Sequence, residues 1–381
     1  MTTDNKINIL FVLPSLKRGG AEMQVIDLIK WFDRDIFNVY LFTFSNDLIL
    51  LDNLKDINFR HYNHPRKYKF DFSMLPVLSN IIKDNNIDVI HCSLQIGLLV
   101  GWLSSILLQK KPKIINTLHR TVGRNIKEEI LEVLVYQWPM RACNKIICVC
   151  KKQELFWLKR FPFLKSKTEV IYNGIDKDKF NPSNFTKERL LIRQDLEIPN
   201  DSLIITCVAG LRIEKNHIGL LDAFNIAIKS EPNIYLLFAG DGKEKSNIEQ
   251  YIKEKNLSKN TRLLGNISDI RPILSASDLT VIASTSIETF SIAMLESMSM
   301  ERPVLSTDIG GHSEAIINNV TGRIVEINKT EELAEAIVWF SRNREKIKNM
   351  GANSRNSISK SFTVETMVSS TQNLIMRTLN K

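Results

Sequence analysis

Two carboxylates, Glu288 and Glu296, bracket the mostly apolar run ETFSIAMLE. Burying a carboxylate without a partner is costly, so both need something to face. Ser291 is a good N-cap, and a helix starting there would run through IAMLESMSM. The exposed amides near Phe290, Ser291 and Ile292, with the positive helix end, suit an anion. Carboxylates accept hydrogen bonds from hydroxyl pairs, so Glu288 can hold a sugar and Glu296 a ribose. A capping contact or surface salt bridge would serve Glu296 equally.

Other chemistry-bearing residues fall at the ends of apolar runs. In CVAGLRIEKNH, Arg212 and Lys215 follow a strand that ends at Gly210. Two cations so placed can clamp a diphosphate, Arg by fork contacts and Lys as a point charge. They could also be solvated loop cations beside Glu214. FAGDG places Gly240, Asp241 and Gly242 at another strand end, where glycine lets backbone approach a ligand or simply makes a turn. RLLGN places Gly265 and Asn266 where backbone could face a flat base. LKRGGAEMQ carries Gly19 and Gly20 into a helix, and NTLHR ends a strand at His119 and Arg120. A histidine there can hydrogen-bond a sugar hydroxyl or tune a nearby charge, or be structural. No GxGxxG fingerprint is present.

The elements that must position these residues alternate. INILFVLP precedes GGAEMQVIDLIKWF; DVIHCS precedes GLLVGWLSSILLQ and KIINTLH; KIICVC precedes KKQELFWLKRF. The alternation predicts parallel strands with helical crossovers. A seam follows at VIYNGIDKDKFNPSNF, and the pattern restarts with LIITCVAG, NIYLLFAG, RLLG, LTVIAS and PVLSTD. The expectation is α/β architecture: two doubly wound, Rossmann-like domains, residues 1–175 and 176–362, facing each other across a ligand-binding cleft. A C-terminal helix, 363–381, would pack back on the first domain.

A chain of 381 residues fits two domains. Its five cysteines, scattered and odd in number, form no zinc-type pair and imply a reducing compartment. The N-terminus lacks a signal-peptide layout. The apolar stretch Leu94–Leu108 falls short of the roughly 20 residues needed to span a bilayer and reads as a buried helix. The net charge is +9, and residues 1–200 hold 30 Lys/Arg against 21 Asp/Glu while residues 201–381 hold 21 of each. A one-sided basic field favours an anionic partner. KKQELFWLKRFPFLKSK, Lys151 to Lys167, mixes Lys and Arg with Phe156, Trp157, Phe161 and Phe163. It could rest on an anionic membrane, or be a helix burying Leu155, Phe156 and Leu158 plus a basic loop. RHYNHPRKYKF, Arg60 to Phe70, is also basic and aromatic, and no nucleic-acid fold signature accompanies it.

The order GGAE, strand-end His, VIYNGID, GLRIEKNH, GDG, LLG, Glu-x7-Glu and RPVLSTDIGGHSEAI resembles the retaining, nucleotide-sugar-dependent glycosyltransferases of GT-B architecture. That group includes bacterial capsule, O-antigen and lipopolysaccharide transferases. The resemblance spans nearly the whole chain and is strongest from Val170 to Ile316. It implies that Arg212 and Lys215 stabilise the donor diphosphate, Glu296 binds the ribose and Glu288 the transferred sugar. The amides of Phe290, Ser291 and Ile292 would lie near sugar and phosphate, Gly20 beside the diphosphate, His119 beside the sugar, and the LLG loop against the base. Glu314 matches a family Glu of structural role. Many members read E-G-F-G where this chain has Glu288-Thr289-Phe290-Ser291, so side chains stand at both glycine positions.

The reaction so implied moves a hexosyl group, from a UDP-sugar by default with GDP open, to a saccharide or lipid-linked acceptor with retention. The cations would take a metal's part, so no divalent ion or cofactor is expected. The location implied is cytoplasmic, with peripheral membrane attachment open and no nucleic-acid partner. Two rivals stand beside it. A nucleotide-sugar epimerase on the same scaffold would need acid and base groups around the sugar and no acceptor. A non-catalytic nucleotide-sugar-binding partner of a polysaccharide assembly complex is disfavoured by the joint presence of Arg212, Lys215, Glu288 and Glu296.

Overall fold

A computed structural model describes residues 6–68, 71–121 and 126–380, without the side chains of residues 126–128. The first five residues of the N-terminal reading, and Lys69 and Phe70 of the basic aromatic stretch, lie outside the described residues. The chain divides into two compact units, Met1–Asn173 with Val364–Lys381, and Gly174–Thr363.

The first unit is built on seven strands: β1 (Ile7–Val12), β2 (Phe37–Thr43), β3 (Arg60–Asn63), β4 (Val89–Ser93), β5 (Lys113–Leu118), β6 (Lys145–Cys148) and β7 (Thr168–Val170). Their order is β3-β2-β1-β4-β5-β6-β7, and every pairing is parallel. Parallel sheets are covered on both faces, so their strands read as continuous apolar runs. β1 shows why: Ile7, Ile9 and Phe11 enter one core layer, Leu10 and Val12 the other. The helix Val364–Thr378 closes the first layer, with Val364, Met367, Leu374 and Ile375 packed in that core.

The second unit repeats the scheme with β8 (Leu203–Val208), β9 (Ile234–Ala239), β10 (Thr261–Gly265), β11 (Leu279–Ile282), β12 (Val304–Thr307) and β13 (Gly322–Val325). The order is β10-β9-β8-β11-β12-β13. In each unit the winding reverses beside the first strand, between β1 and β4 and between β8 and β11. Ligands of doubly wound sheets bind outside the carboxyl ends of the strands at such a switch point.

The apolar stretch at Leu94 forms the helix Gln95–Ile106, with Leu98, Val100 and the small residues Gly97 and Gly101 buried. Among the described residues no helix is long and apolar enough to cross a membrane. Two sequence expectations need correcting. In the basic segment after Lys151, Trp157 and Phe161 belong to the core, because Trp157 donates from Nε1 to the Arg120 carbonyl oxygen (3.1 Å) and stacks on Phe161. Leu155, expected inside, is 65% exposed. The RHYN of the other basic segment is the edge strand β3, tied to β2 by the Thr43 hydroxyl, which donates to Asn63 Oδ1 (2.9 Å). All five cysteines are buried thiols.

Candidate functional site

The carboxyl ends of β8 and β11 bring two separated motifs together. After β8 the chain passes Arg212 and makes a short 3-10 turn, Ile213–Lys215. Asn216 then adopts a left-handed conformation (φ 55°), which Asn tolerates better than most residues. Its Oδ1 accepts from the Gly219 amide (3.3 Å) and caps the helix His217–Ala227. This turn aims Lys215 back over the sheet, where its ammonium donates to Glu288 Oε2. The Ser284 hydroxyl donates to the same oxygen (3.2 Å).

Lys215 and Glu288 are 14% and 12% exposed in their side chains. Burial pushes the Glu288 carboxyl up. Lys215 and His312, with the hydrogen bonds from Lys215 and Ser284, outweigh it and leave its pKa below the ordinary value. The two residues line one small cavity with Ser284, Ser291 and Cys207. Ser291 caps the helix Ile292–Ser299, its Oγ accepting from the Met294 amide (3.4 Å). Charged cation, carboxylate and helix N-terminus thus share the switch point of the second sheet.

The backbone beneath Glu288 is strained. Ile287 has φ 54°, a genuine outlier for a β-branched residue. The loop is held from below: the Gly311 amide donates to the Thr289 carbonyl (2.6 Å). A side chain at Gly310 (φ 52°) would meet the Thr289 carbonyl oxygen at 2.3 Å. His312 is fully buried and hydrogen-bonded through Nδ1 to Ser306 (2.7 Å). Sequence reasoning missed Ser284, Ile287 and His312. The GG of IGGHSEAI signals only the close approach of that loop to the Thr289 backbone.

The other proposed donor residues of the second unit do not line this cavity. Arg212 is half-exposed and pairs with Glu214 (3.2 Å). Glu296 is half-buried on the helix that Ser291 caps. Phe290 is buried against Phe362, so its backbone alone could meet a ligand. Ile292 is half-buried at the helix start. The space a Cβ would fill at Gly240 and Gly242 is taken by backbone of Ala209 and Leu211. Packing of the β8 and β9 loops therefore accounts for both glycines. Asp241 turns onto the Gly242 amide (2.7 Å). Gly265 ends β10 with open space beside it, and Asn266 follows, exposed.

In the first unit, Gly19 is the N-cap and Gly20 the first residue of the helix Gly20–Trp31. A Cβ on Gly19 would meet the carboxylate of Glu22. Glu22 is buried, and burial raises its pKa against the pull of its own amide and of Lys17. His119 follows β5 in a separate pocket with Gln95, Arg120 and Glu132. Burial pushes its imidazole down to about 3, with His91 adding to the effect.

Both units are similar to known proteins. The model of glycosyl transferases group 1 matches residues 188–357, and that of glycosyltransferase family 4 matches residues 18–179. The Escherichia coli UDP-Gal:alpha-D-GlcNAc-diphosphoundecaprenol alpha-1,3-galactosyltransferase is 27% identical over 305 residues, covering 77% of this chain and 76% of that protein. N-acetyl-alpha-D-glucosaminyl L-malate synthase of Bacillus anthracis is 24% identical over 308 residues, 79% of this chain and 77% of the relative. Anabaena HepE in complex with UDP-glucose has the same fold, at TM-score 0.85 and 23% identity over 98% of this chain and 99% of that one. A glycosyltransferase family model matches each of the two Rossmann-like units, and together they span most of the chain, which belongs to the group 1 glycosyltransferases.

Proposed function

We propose that the chain transfers a hexosyl group from a UDP-sugar to a hydroxyl of a saccharide or lipid-linked acceptor, with retention and without a divalent metal. The observation that carries this reading is the meeting of Lys215, Glu288 and the Ser291-capped helix start at the β8–β11 switch point. Lys215 can pass from Glu288 to a diphosphate oxygen and stabilise the leaving nucleoside diphosphate, while Glu288 accepts from hydroxyls of the transferred sugar. Arg212 would add fork contacts and Glu296 would hold the ribose. A preorganised charge of this kind acts where negative charge develops and costs no reorganisation at the moment of reaction. His119, kept neutral, can hydrogen-bond the sugar without adding charge. The donor class rests on the relatives: the E. coli enzyme takes UDP-Gal to a diphosphoundecaprenol-linked acceptor, and HepE binds UDP-glucose.

Lipid-linked acceptors call for access to a membrane surface. On the first unit, Leu131, Leu134, Trp138 and Leu155 are each 46% or more exposed. Arg141, Lys151, Lys152 and Lys159 are exposed in the same segments. Apolar side chains beside cations suit an anionic lipid surface, and we propose peripheral attachment there.

The test is release of nucleoside diphosphate from UDP-glucose, UDP-galactose, UDP-N-acetylglucosamine and GDP-mannose in the presence of a panel of saccharide and lipid-linked acceptors, with and without a chelator. One UDP-sugar should be consumed at a rate the chelator leaves unchanged, and NMR of the product should show the donor's anomeric configuration. Conversion of donor to an epimer without acceptor, or an inverted product, would overturn the reading.

A further inference from the structure

The pocket around His119 contains groups that the donor reading does not use. It lies in the first unit at the carboxyl ends of β4 and β5, beside the switch point of that sheet. Arg120 donates to Gln95 Oε1 (2.9 Å), and Gln95 Nε2 donates to Glu132 Oε1 (3.0 Å). Gln95 thereby spends both ends of its amide linking a cation to a carboxyl group. Glu132 is 3% exposed. Burial raises its pKa against Gln95, Arg160 and Arg120. Asn116, on β5 and 2% exposed, also lines the pocket, and its Oδ1 has no hydrogen-bond partner among the described residues. An orphaned buried acceptor is destabilising and calls for an explanation.

Two backbone irregularities converge here. Leu94, directly before Gln95, has φ 65° and ψ 154°, a region essentially reserved for glycine. Glu132 opens a π-helical turn, Glu132–Tyr136, a feature frequent at functional sites. The wall behind them is fixed: Gln153 and Trp157 both donate to the Arg120 carbonyl (3.1 Å each). Strain of this kind persists only where the surroundings over-determine it.

The chemistry selects the ligand class. Asn116 Oδ1 and the Glu132 carboxylate are hydrogen-bond acceptors, and the cation nearby is already engaged by Gln95. A ligand must therefore bring donors, which a diphosphate lacks and a saccharide hydroxyl has. The cavity has room for a group about the size of one water. That admits a hydroxyl or hydroxymethyl substituent with the sugar ring at the mouth.

We propose that this pocket is a hydroxyl-recognising subsite for the acceptor saccharide, with Asn116 and Glu132 as its specificity-determining residues. The proposal rests on the chain's glycosyl-transfer function and extends it to the acceptor. Saturation-transfer NMR on the full chain tests it, with UDP and a panel of methyl α-glycosides (glucose, galactose, mannose, rhamnose and N-acetylglucosamine) as probes. At least one glycoside should give signals that fall fivefold or more in Glu132→Gln and in Asn116→Leu, while the UDP signals stay constant. In the wild-type chain, removing one particular hydroxyl in the monodeoxy series of that glycoside should abolish its signal, a readout that requires no variant to fold. Glycoside signals unchanged in both variants, insensitivity to every single deoxygenation, or UDP bound with no glycoside bound would overturn the subsite. Loss of UDP binding by the wild-type chain would instead strike the donor reading.

Discussion

The Lys215 ammonium donates to Glu288 Oε2 across the ends of β8 and β11, with both side chains largely withdrawn from water. Each residue therefore has a structural and a chemical duty, and substitutions can separate them. Lys215→Ala leaves a shielded carboxylate without its cation. Fully buried pairs cost about 3–5 kcal/mol when one partner is removed, and this partly shielded pair should cost on the order of 2 kcal/mol. Turnover should fall about 10²-fold or more, as for other preorganised charge stabilisers. The double variant Lys215→Met with Glu288→Gln should regain most of the stability and none of the turnover. Denaturant midpoints and steady-state rates at saturating donor check both. Near-wild-type turnover in Lys215→Ala would remove Lys215 from the chemistry.

Ile287 carries a strained backbone directly before Glu288. Left-handed conformation costs a β-branched residue roughly 1–2 kcal/mol, and Asn adopts it more readily. Ile287→Asn should raise the thermal midpoint, whereas Ile287→Val, still β-branched and one methylene smaller, should lower it. If the strain serves to hold Glu288 against Lys215, Ile287→Asn should also lower turnover while it stabilises. Calorimetry on the two variants decides; a lower midpoint for the Asn variant than for the Val variant would count against stored strain.

The central strands of both sheets were legible because burial on two faces leaves uninterrupted apolar runs such as INILFV and IYLLFA. The edge strands were not: RHYN and TEV are short and half-buried or exposed, and their polarity reads as loop. The helices Thr330–Arg342 and Arg344–Ser361 also escaped the reading; the second has a low apolar content, IKNMGANSRNSI in its middle being mostly polar. In the site, residue types at strand ends flagged Lys215, Glu288 and Ser291. Ser284 and His312 could not be seen in advance, since a serine or histidine acquires meaning only from what folding places beside it. Gln95 and Glu132 lie 37 positions apart, a pairing no local pattern encodes.

The exposed apolar side chains of the first unit make membrane attachment measurable. Co-sedimentation with vesicles of phosphatidylglycerol and phosphatidylcholine should rise with anionic lipid content and fall with salt. Leu134→Glu combined with Trp138→Glu should weaken it at least fivefold, because each replaces an exposed apolar group with a charge repelled by the surface. Binding indifferent to lipid charge and to both substitutions would dismiss the surface.

His91 gives the fold a pH dependence whose sign can be worked out. It is fully buried on β4, hydrogen-bonded through Nε2 to Thr117 (2.8 Å) and edge-on to Phe11. Burial pushes its pKa down to about 4, against about 6.5 in an unfolded chain. Between these values the unfolded state binds more protons, so stability rises with pH. The contribution is complete above about pH 6.5 and is lost as pH falls toward the folded value. At pH 5.5 the loss amounts to roughly 1.4 kcal/mol for this one residue. Glu288, with its lowered pKa, withdraws support only below the ordinary carboxylate range; Glu22 and Glu132, raised by burial, act in the opposite sense to His91 but equally in both proteins, and so cancel in the comparison. Denaturant midpoints measured at pH 8 and 5.5 should therefore converge for His91→Asn relative to the wild type, by about that amount. An equal acid sensitivity in both proteins would mean that His91 takes up its proton without unfolding the sheet around it.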